Sequence, residues 1–206
     1  ALLYQYEIDR EFPDAVMLEA KATPQSVEES AVAGRLDLRD KVVITIDGAS
    51  SKDLDDAVSL ERDGLGRWVL GVHIADVSHY VRPGSALDLE AWERGTSVYF
   101  ADQVVPMLPR ELSNGICSLN PRVDRLALSC VMTLTPEGEV VDHTIAKSVI
   151  RTTERMTYED CNALLAHSDP ALAERYARIL PMLEDMAALS RVLEGRRRRR
   201  GALELD

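Results

Sequence analysis

The sequence predicts an α+β fold with a largely antiparallel β-sheet core and flanking helices. Extended, β-branched segments dominate from Lys41 to Thr153, and turn residues of the hairpin type separate several of them. After Met156 the apolar residues recur at intervals of three and four, which is the spacing of helices. Strands that come first and helices that follow favour α+β over alternating βαβ units with a parallel sheet.

The first forty residues differ from the rest because they are acidic and interrupted by Pro13 and Pro24. The stretch PQSVEES predicts a short helix that ends near Gly34. We interpret residues 1–35 as a connector and residues 36–206 as the principal domain. A chain of 206 residues is long enough to bury one sizeable core.

Three segments predict the first strands of the sheet. KVVITI is a continuous β-branched run, and DLDDAVSL and WVLGVHIADVSHYV follow it on either side of a glycine-rich turn. Within DLDDAVSL, alternation along a strand places Asp53 and Asp55 on one face. The opposite face then carries Leu54, Val58 and Leu60.

The remaining elements follow in chain order. A helix is predicted to begin at Ser85 and to end at Gly95. TYEDCNALLAH and the segment from Pro170 to Arg200 predict further helices, and we expect Pro181 to kink or divide the second. The β content between these helices continues, with a hairpin turn at PEG, in TSVYF, VVPMLPRELSNG, RLALSCVMTLT and EVVDHTIAKSVIRTT.

The charge balance bears on the class of partner. The net charge of −11 and the pI near 4.9 argue against an acidic partner, because phosphate binding needs a local positive surface. The five consecutive arginines from Arg196 to Arg200 are either a solvated helix end or such a phosphate contact.

Several features of the sequence bear on the cellular location of the protein. The longest apolar runs are much shorter than a bilayer span, and the N-terminal residues lack the pattern of a secretion signal. Cys117, Cys130 and Cys161 are odd in number and widely spaced, which favours small buried hydrophobes over disulfides or a zinc site. We therefore expect a cytoplasmic protein without a membrane segment.

The stretch IDGASSKDLDDAVS gathers Asp47, Asp53, Asp55 and Asp56 within ten positions. Unit charges about 5 Å apart repel by roughly 3 kcal/mol per pair at an effective dielectric constant near 20. A hard divalent cation such as Mg²⁺ would offset that repulsion, since it prefers carboxylate oxygens. Two such ions about 3.5–4 Å apart would suit in-line hydrolysis of a phosphodiester.

Other interpretations of this acidic stretch were weighed. An EF-hand loop that begins at Asp53 is excluded, because Ala57 and Val58 occupy its fifth and sixth positions. A phosphatase with an aspartate nucleophile would need a parallel βαβ pattern that the sequence lacks. An acid-rich, solvated hairpin end remains open.

The same stretch resembles the catalytic motif of the ribonuclease II / ribonuclease R family of exoribonucleases. The resemblance is closest to ribonuclease R, extends from about residue 30 to residue 206, and identifies residues 1–30 with the connector before the family's catalytic RNB module. Residues 36–206 then correspond to the N-terminal part of that module. The segments that carry it are AGRLDLRD, GVHIADVSHYVRPGSALDLEAWERGTSVYF, VVPMLPRELSNGICSLNPRVDRLALS and RMTY at residues 155–158.

The resemblance implies a processive exoribonuclease that degrades single-stranded RNA from the 3′ end to nucleoside 5′-monophosphates with Mg²⁺, or with Mn²⁺ in its place. It implies that Asp47, Asp53 and Asp56 hold metal or order the site and that Asp55 is the aspartate whose loss is tolerated least. The implied RNA contacts are Tyr99, which would stack on the terminal base, Tyr158 as a second aromatic, and Arg122 and Arg125, which either contact phosphates or pair with Asp124.

The resemblance covers only the first part of the family's module. A later segment, whose arginine meets the scissile phosphate, and a C-terminal RNA-binding barrel have no counterpart in these residues. Electrostatic stabilisation is commonly the largest catalytic contribution, so we expect the chain alone to be inactive and to require the missing C-terminal part as a partner. Self-association through uncovered apolar surface is a further expectation. The alternative function is a non-catalytic acidic module that binds RNA or protein.

Overall fold

The central element is a seven-stranded sheet that lies beside a two-stranded pair. The strands are β1 (Leu36–Asp37), β2 (Ile44–Asp47), β3 (Asp56–Arg62), β4 (Trp68–Ala75), β5 (Val98–Tyr99), β6 (Val104–Val105), β7 (Asp124–Leu134), β8 (Val140–Arg151) and β9 (Glu154–Thr157). The order in the large sheet is β1-β8-β7-β4-β3-β2-β9, and β5 and β6 form the pair. The computed structural model describes residue 6, residues 9–100 and residues 103–202. Neighbouring strands are antiparallel except for β1 with β8 and β2 with β9.

Helices flank this sheet, so the predicted α+β class with a largely antiparallel sheet is confirmed. The last three helices cover one face of the sheet, where they pack against Ile44, Leu60, Trp68 and Leu134. The α-helices are α1 (Asp14–Ala22), α2 (Glu29–Val32), α3 (Val77–Tyr80), α4 (Ala86–Arg94), α5 (Tyr158–Leu165), α6 (Pro170–Arg175) and α7 (Leu180–Arg199). Across the described residues, none of these helices is long and apolar enough to cross a membrane.

The other face of the sheet has its own core of small and medium side chains. Leu38 and Val43, from the short connection between β1 and β2, pack there with Ala57, Ala75 and Ile150. This connection runs alongside the bend between β8 and β9, since the Leu38 amide donates to the Val149 carbonyl at 2.9 Å and the Thr153 amide donates to the Val43 carbonyl at 2.7 Å. The two cores together hold β2 and β3 in fixed positions.

The connector is packed onto the principal domain. Val16 and Ala20 of α1 share a buried cluster with Leu87 of α4. Arg35 donates a hydrogen bond of 2.8 Å to Asp76, and both side chains are almost completely buried. The predicted boundary near residue 35 stays a prediction, although the described residues on its two sides share one core.

The predicted strand DLDDAVSL is shorter in the structure, because β3 begins only at Asp56. Leu54 lies before the strand and is buried in the core beneath the sheet, whereas Val58 and Leu60 face the helices. The prediction that these three residues share a face was therefore wrong. The reason is tertiary, since the Leu54 carbonyl accepts a hydrogen bond of 2.8 Å from the Leu119 amide instead of continuing the ladder of β3.

Two of the predicted helical regions are present in the structure, and two further helical segments were not predicted. Helix α4 is confirmed with both caps, since the Ser85 hydroxyl accepts from the Asp88 amide and Gly95 has a left-handed conformation. The C-terminal helical region is divided, as predicted, with Pro181 in the first turn of α7. Helix α1 and the kinked helical segment Glu111–Ile116 were not predicted, and the second replaces expected β structure in a proline-rich stretch.

The three cysteines fit their interpretation as small hydrophobes. All are free thiols; Cys117 and Cys161 are buried, and Cys130 is partly buried. Burial raises the pKa of the Cys117 thiol to about 12, so it remains protonated at neutral pH.

A buried chain of polar groups crosses the middle of the sheet. The ring of His73, which is 1% exposed, contacts the hydroxyls of Ser59 at 3.1 Å and Ser129 at 2.7 Å. Ser129 in turn contacts Ser148 at 2.6 Å. Gly71 leaves room for the ring, because a Cβ at this position would lie 2.8 Å from His73 Nε2. His73 is therefore a satisfied core histidine.

Burial lowers the pKa of His73 to about 4, below its ordinary value of 6.5. The unfolded chain binds this proton more readily, so the stability contributed by neutral His73 is complete above pH 6.5 and is lost as the pH falls toward 4. Between pH 7 and pH 5 we expect a loss of about 2 kcal/mol from this group. Urea unfolding at both pH values should show a smaller pH dependence for His73→Asn, whereas the exposed control His143→Asn should behave as the wild type. Equal pH dependence in all three proteins would contradict the prediction.

Candidate functional site

The acid loop, residues 47–56, joins the end of β2 to the start of β3. The two strands are antiparallel neighbours, with Ile44 opposite Val58, so the end of one lies beside the start of the other. A turn within the loop is closed by a hydrogen bond of 3.0 Å from the Ser51 amide to the Gly48 carbonyl. This topology brings Asp47 back toward Asp53, Asp55 and Asp56 at one end of the sheet.

The four carboxylates share one electrostatic environment. Partial desolvation raises the pKa of Asp55, and the charges of Asp53, Asp56 and Asp47 raise it further. The pKa of Asp47 is also raised, by desolvation and by Asp56 and Asp53, while Arg155 acts in the opposite direction. The structure therefore brings all four predicted aspartates together.

The fit of this cluster to a divalent cation can be judged from its oxygens. Asp47 Oδ2 is buried and has no hydrogen-bond partner, whereas Asp55 and Asp56 are exposed to solvent. As they stand, no three His, Cys, Asp or Glu side chains of the described residues enclose a metal position. Mg²⁺, however, keeps waters and substrate oxygens and needs only one or two carboxylates from the protein. Carboxylate oxygens are the ligand type that Mg²⁺ and Mn²⁺ prefer, and binding of either ion stays a prediction.

Two distant side chains fasten the backbone of the acid loop. Arg155 Nη2 donates to the carbonyls of residues 48, 49 and 51 at 3.1, 2.8 and 2.8 Å. Ser118 Oγ donates to the Lys52 carbonyl at 2.9 Å and accepts from the Leu54 amide at 3.1 Å. Neither contact was predicted, because each joins segments that are far apart in the chain, and residue patterns do not reveal such contacts.

Tyr99 lies at the edge of the acid cluster. Its hydroxyl donates a hydrogen bond of 3.0 Å to Asp53 Oδ2, and the side chain is 66% exposed. Beside it is an open cavity of about 340 Å³ whose lining includes the cations Lys52 and Arg110. An exposed flat ring, two cations and adjacent carboxylates suit a nucleotide, because the base can stack while the phosphate meets positive charge. Arg110 was not predicted as a site residue.

Tyr158 is placed near the same end of the sheet. It follows Thr157, which is the register partner of Asp47 in the parallel pair β2 and β9. Its side chain is 57% exposed. The predicted second aromatic residue, Tyr158, therefore directly follows the strand residue that pairs with Asp47, the first aspartate of the acid loop.

The two predicted arginines lie in different surroundings. Arg122 is exposed, has a left-handed backbone with φ of 65°, and donates to Glu154 at 2.6 Å. Arg125 is 7% exposed and donates to the carbonyls of Ser118, Asp124 and Gly115. Its guanidinium thus holds the backbone beside Ser118, and contact of either arginine with RNA stays a prediction.

The chain is similar in sequence to known ribonucleases. Residues 35–206 match the RNB domain family. The chain is 53% identical over 205 residues to ribonuclease R 1 of Lactococcus lactis, with 100% of the chain and 25% of that protein covered. It is 45% identical over 204 residues to ribonuclease R of Escherichia coli, with 99% and 25% covered. The chain thus spans about a quarter of the length of these relatives.

Solved structures give the same family. RNase R of Mycoplasma genitalium in complex with ribose methylated single-stranded RNA superposes with a TM-score of 0.90 at 32% identity, covering 100% of this chain and 32% of that one. Its complex with double-stranded RNA gives the same TM-score and identity, with 100% and 36% covered. Yeast Ssd1, described as a pseudonuclease, shares the fold with a TM-score of 0.72 at 21% identity, over 85% of this chain and 21% of that one.

The raised pKa of Asp55 predicts a change in stability without metal. The folded state binds this proton more tightly than the unfolded state, so the contribution of Asp55 to stability falls as the pH rises above 3.8 through the raised pKa. In EDTA at pH 7, Asp55→Asn should therefore raise the melting temperature. The exposed Asp40→Asn, outside the cluster, is the matched control. A melting temperature at or below that of the control would contradict the prediction.

Proposed function

The chain belongs to the RNB family of exoribonucleases, and from that premise we propose that it is the metal-binding part of an enzyme that degrades single-stranded RNA processively from the 3′ end. The proposed products are nucleoside 5′-monophosphates, and the proposed cofactor is Mg²⁺, with Mn²⁺ as a substitute. The observation that supports this most directly is the cluster of four interacting aspartates. At its edge lies the exposed Tyr99, which donates a hydrogen bond to Asp53.

In the proposed mechanism the aspartates have two roles, because some face the protein interior and others face the substrate. Asp47, with its buried unpaired oxygen, would hold the metal from within, and the exposed Asp55 and Asp56 would present it to an incoming phosphate. Bound Mg²⁺ supplies Lewis acidity and lowers the pKa of a bound water. The chain's own residues then orient the RNA end and hold the carboxylate oxygens in place.

The aromatic residues account for the proposed preference for single strands. Unpaired bases expose their faces, and stacking on an aromatic ring is worth about 1–3 kcal/mol per base whatever the base identity. The hydrogen bond from Tyr99 to Asp53 fixes the ring against the acid cluster. Tyr158 would provide a second stacking surface near Asp47, and Arg122 and Arg125 remain proposed RNA contacts.

We propose that these 206 residues are not sufficient for hydrolysis. The strongest charges acting on Asp55 are negative, and the cations Lys52 and Arg110 line the cavity beside Tyr99, so a cation for the scissile phosphate at Asp55 would come from elsewhere. One face of the sheet beside Asp56 exposes Ile74, Leu128 and Ile145 at 47%, 46% and 63%. Such a surface would be covered by the remainder of the catalytic module or, in its absence, by a second copy. The free thiols support the proposed cytoplasmic location.

A non-catalytic module that binds RNA or protein is the second candidate. The fold alone does not exclude it, because yeast Ssd1 shares the fold and is described as a pseudonuclease. The two candidates differ in what the acidic cluster is for. A catalytic module depends on the aspartates for turnover, whereas a binding module depends on them at most for affinity.

A chimera tests the catalytic proposal without relying on the isolated chain. The matched residues of the Lactococcus lactis ribonuclease R 1 would be replaced by this chain, with which they share 53% identity. With Mg²⁺ the chimera should degrade a 5′-labelled single-stranded RNA from its 3′ end. Asp55→Asn should reduce the rate by about 100-fold or more, as expected when one group of a preorganised electrostatic site is lost, and Asp40→Asn should not. Retained activity in Asp55→Asn would refute the proposed role.

Tyr99 variants in the same chimera separate stacking from hydrogen bonding. Tyr99→Ala should lengthen the final undegraded product while cleavage continues, because the terminal base loses its platform. Tyr99→Phe keeps the ring and loses only the bond to Asp53, so its end product should match the wild type. The labelled products would be resolved on a denaturing gel. An unchanged end product for Tyr99→Ala would rule out the stacking role.

A further inference from the structure

Arg155 is a half-buried link between two strands and the acid loop. It lies in β9, opposite Thr45 of the parallel strand β2, and its side chain extends toward the loop that follows β2. Three carbonyls, of Gly48, Ala49 and Ser51, converge on its Nη2 atom at 2.8–3.1 Å. Because the three acceptors share one nitrogen, the loop must curl around the guanidinium to make these bonds.

Arg155 makes more hydrogen bonds to the first half of the acid loop, residues 47–51, than the backbone of that half makes within itself. The local bond within this half is the one from Ser51 to Gly48 at 3.0 Å. Hydrogen bonds from a charged donor are roughly twice as strong as neutral ones, so the guanidinium is the stronger restraint on this segment. It also opposes the mutual repulsion of the carboxylates, since its charge acts on Asp47.

The second half of the loop is fastened separately. Ser118 holds the carbonyl of Lys52 and the amide of Leu54, on the far side of the turn. Asp47 is fixed by β2, and Asp53 lies between the two atoms that Ser118 holds. The path from Asp47 to Asp53 therefore depends on Arg155 over residues 48–51. The hydrogen bonds of Arg155 in the structure all go to backbone carbonyls, so it acts on the carboxylates through the loop.

We propose that Arg155 is a positioning residue that sets the spacing between Asp47 and the segment Asp53–Asp56, and thereby the affinity of the cluster for a divalent metal. The inference deepens the proposed function and rests on it where metal binding is concerned. Residues that orient metal ligands typically contribute 10–100-fold to metal affinity. Arg155 is expected to contribute in that range although it does not touch the metal.

Isothermal titration of the purified chain with Mn²⁺ tests the proposal. Arg155→Met should weaken Mn²⁺ binding about 10–100-fold. Arg155→Lys should recover part of the loss, since an ammonium can donate to the same carbonyls but lacks the planar fork. The matched control is Arg94→Met, which removes a guanidinium that also donates to three backbone carbonyls away from the acid loop, those of Asp9 at 3.0 Å, Glu11 at 2.6 Å and Pro106 at 3.5 Å. Arg94 additionally pairs with Glu90 at 2.8 Å.

The melting temperature and hydrogen exchange separate positioning from general stability. If Arg155→Met and Arg94→Met lower the melting temperature similarly but only Arg155→Met loses affinity, the proposal is supported. Unchanged Mn²⁺ affinity in Arg155→Met would overturn it. If the wild type binds no Mn²⁺, the proposed metal site fails. Hydrogen exchange of the backbone amides of residues 49–53 then tests whether Arg155 positions the acid loop. Faster exchange in Arg155→Met would retain the positioning role, and unchanged exchange would reject it.

Discussion

The structure depends on holding four mutually repelling carboxylates at the junction of two neighbouring strands. Asp47 closes β2 and Asp56 opens β3, so the sheet itself determines that the ends of the acid loop are adjacent. Two cores, one on each face, fix these strands and leave the cluster little freedom to relax by separation. Desolvation, together with this repulsion, raises the pKa values of Asp47 and Asp55, and the arrangement is receptive to a divalent cation.

The loop between the strands is restrained chiefly through its backbone. Side chains from β9 and from the segment after Glu111–Ile116 bind its carbonyls, and Arg125 in turn binds the carbonyl of Ser118. Because these contacts go to the backbone of the loop, the carboxylate oxygens stay available for a ligand while the backbone that carries them is held in place. Sites that use preorganised charge need such support, because an error of about 1 Å in a supporting group lowers function substantially.

The surroundings of the cluster differ on its two sides. Tyr99, Lys52 and Arg110 line an open cavity on one side, which offers a stacking surface and positive charge within an otherwise acidic chain. Exposed apolar residues of β4, β7 and β8 lie on the sheet beyond Asp56. The acidic net charge is therefore compatible with an RNA partner, because the local arrangement of cations matters more than the sum over the chain.

The sequence by itself determined the fold class, the hairpins, the caps of α4 and the gathering of four aspartates in one short stretch, because alternation, turn chemistry and residue spacing are local signals. The roles of these aspartates and of Tyr99 as site residues stay a prediction. Only the tertiary structure decided that Leu54 turns away from Val58 and Leu60, that Arg125 is buried against carbonyls, and that Arg155 and Ser118 fasten the acid loop. Apart from the contacts of Arg125, whose bond to Ser118 spans 7 residues, these outcomes arise from contacts between residues 64–107 positions apart in the chain. The parallel pairing of β2 with β9 is one example, and no local pattern specifies such pairings.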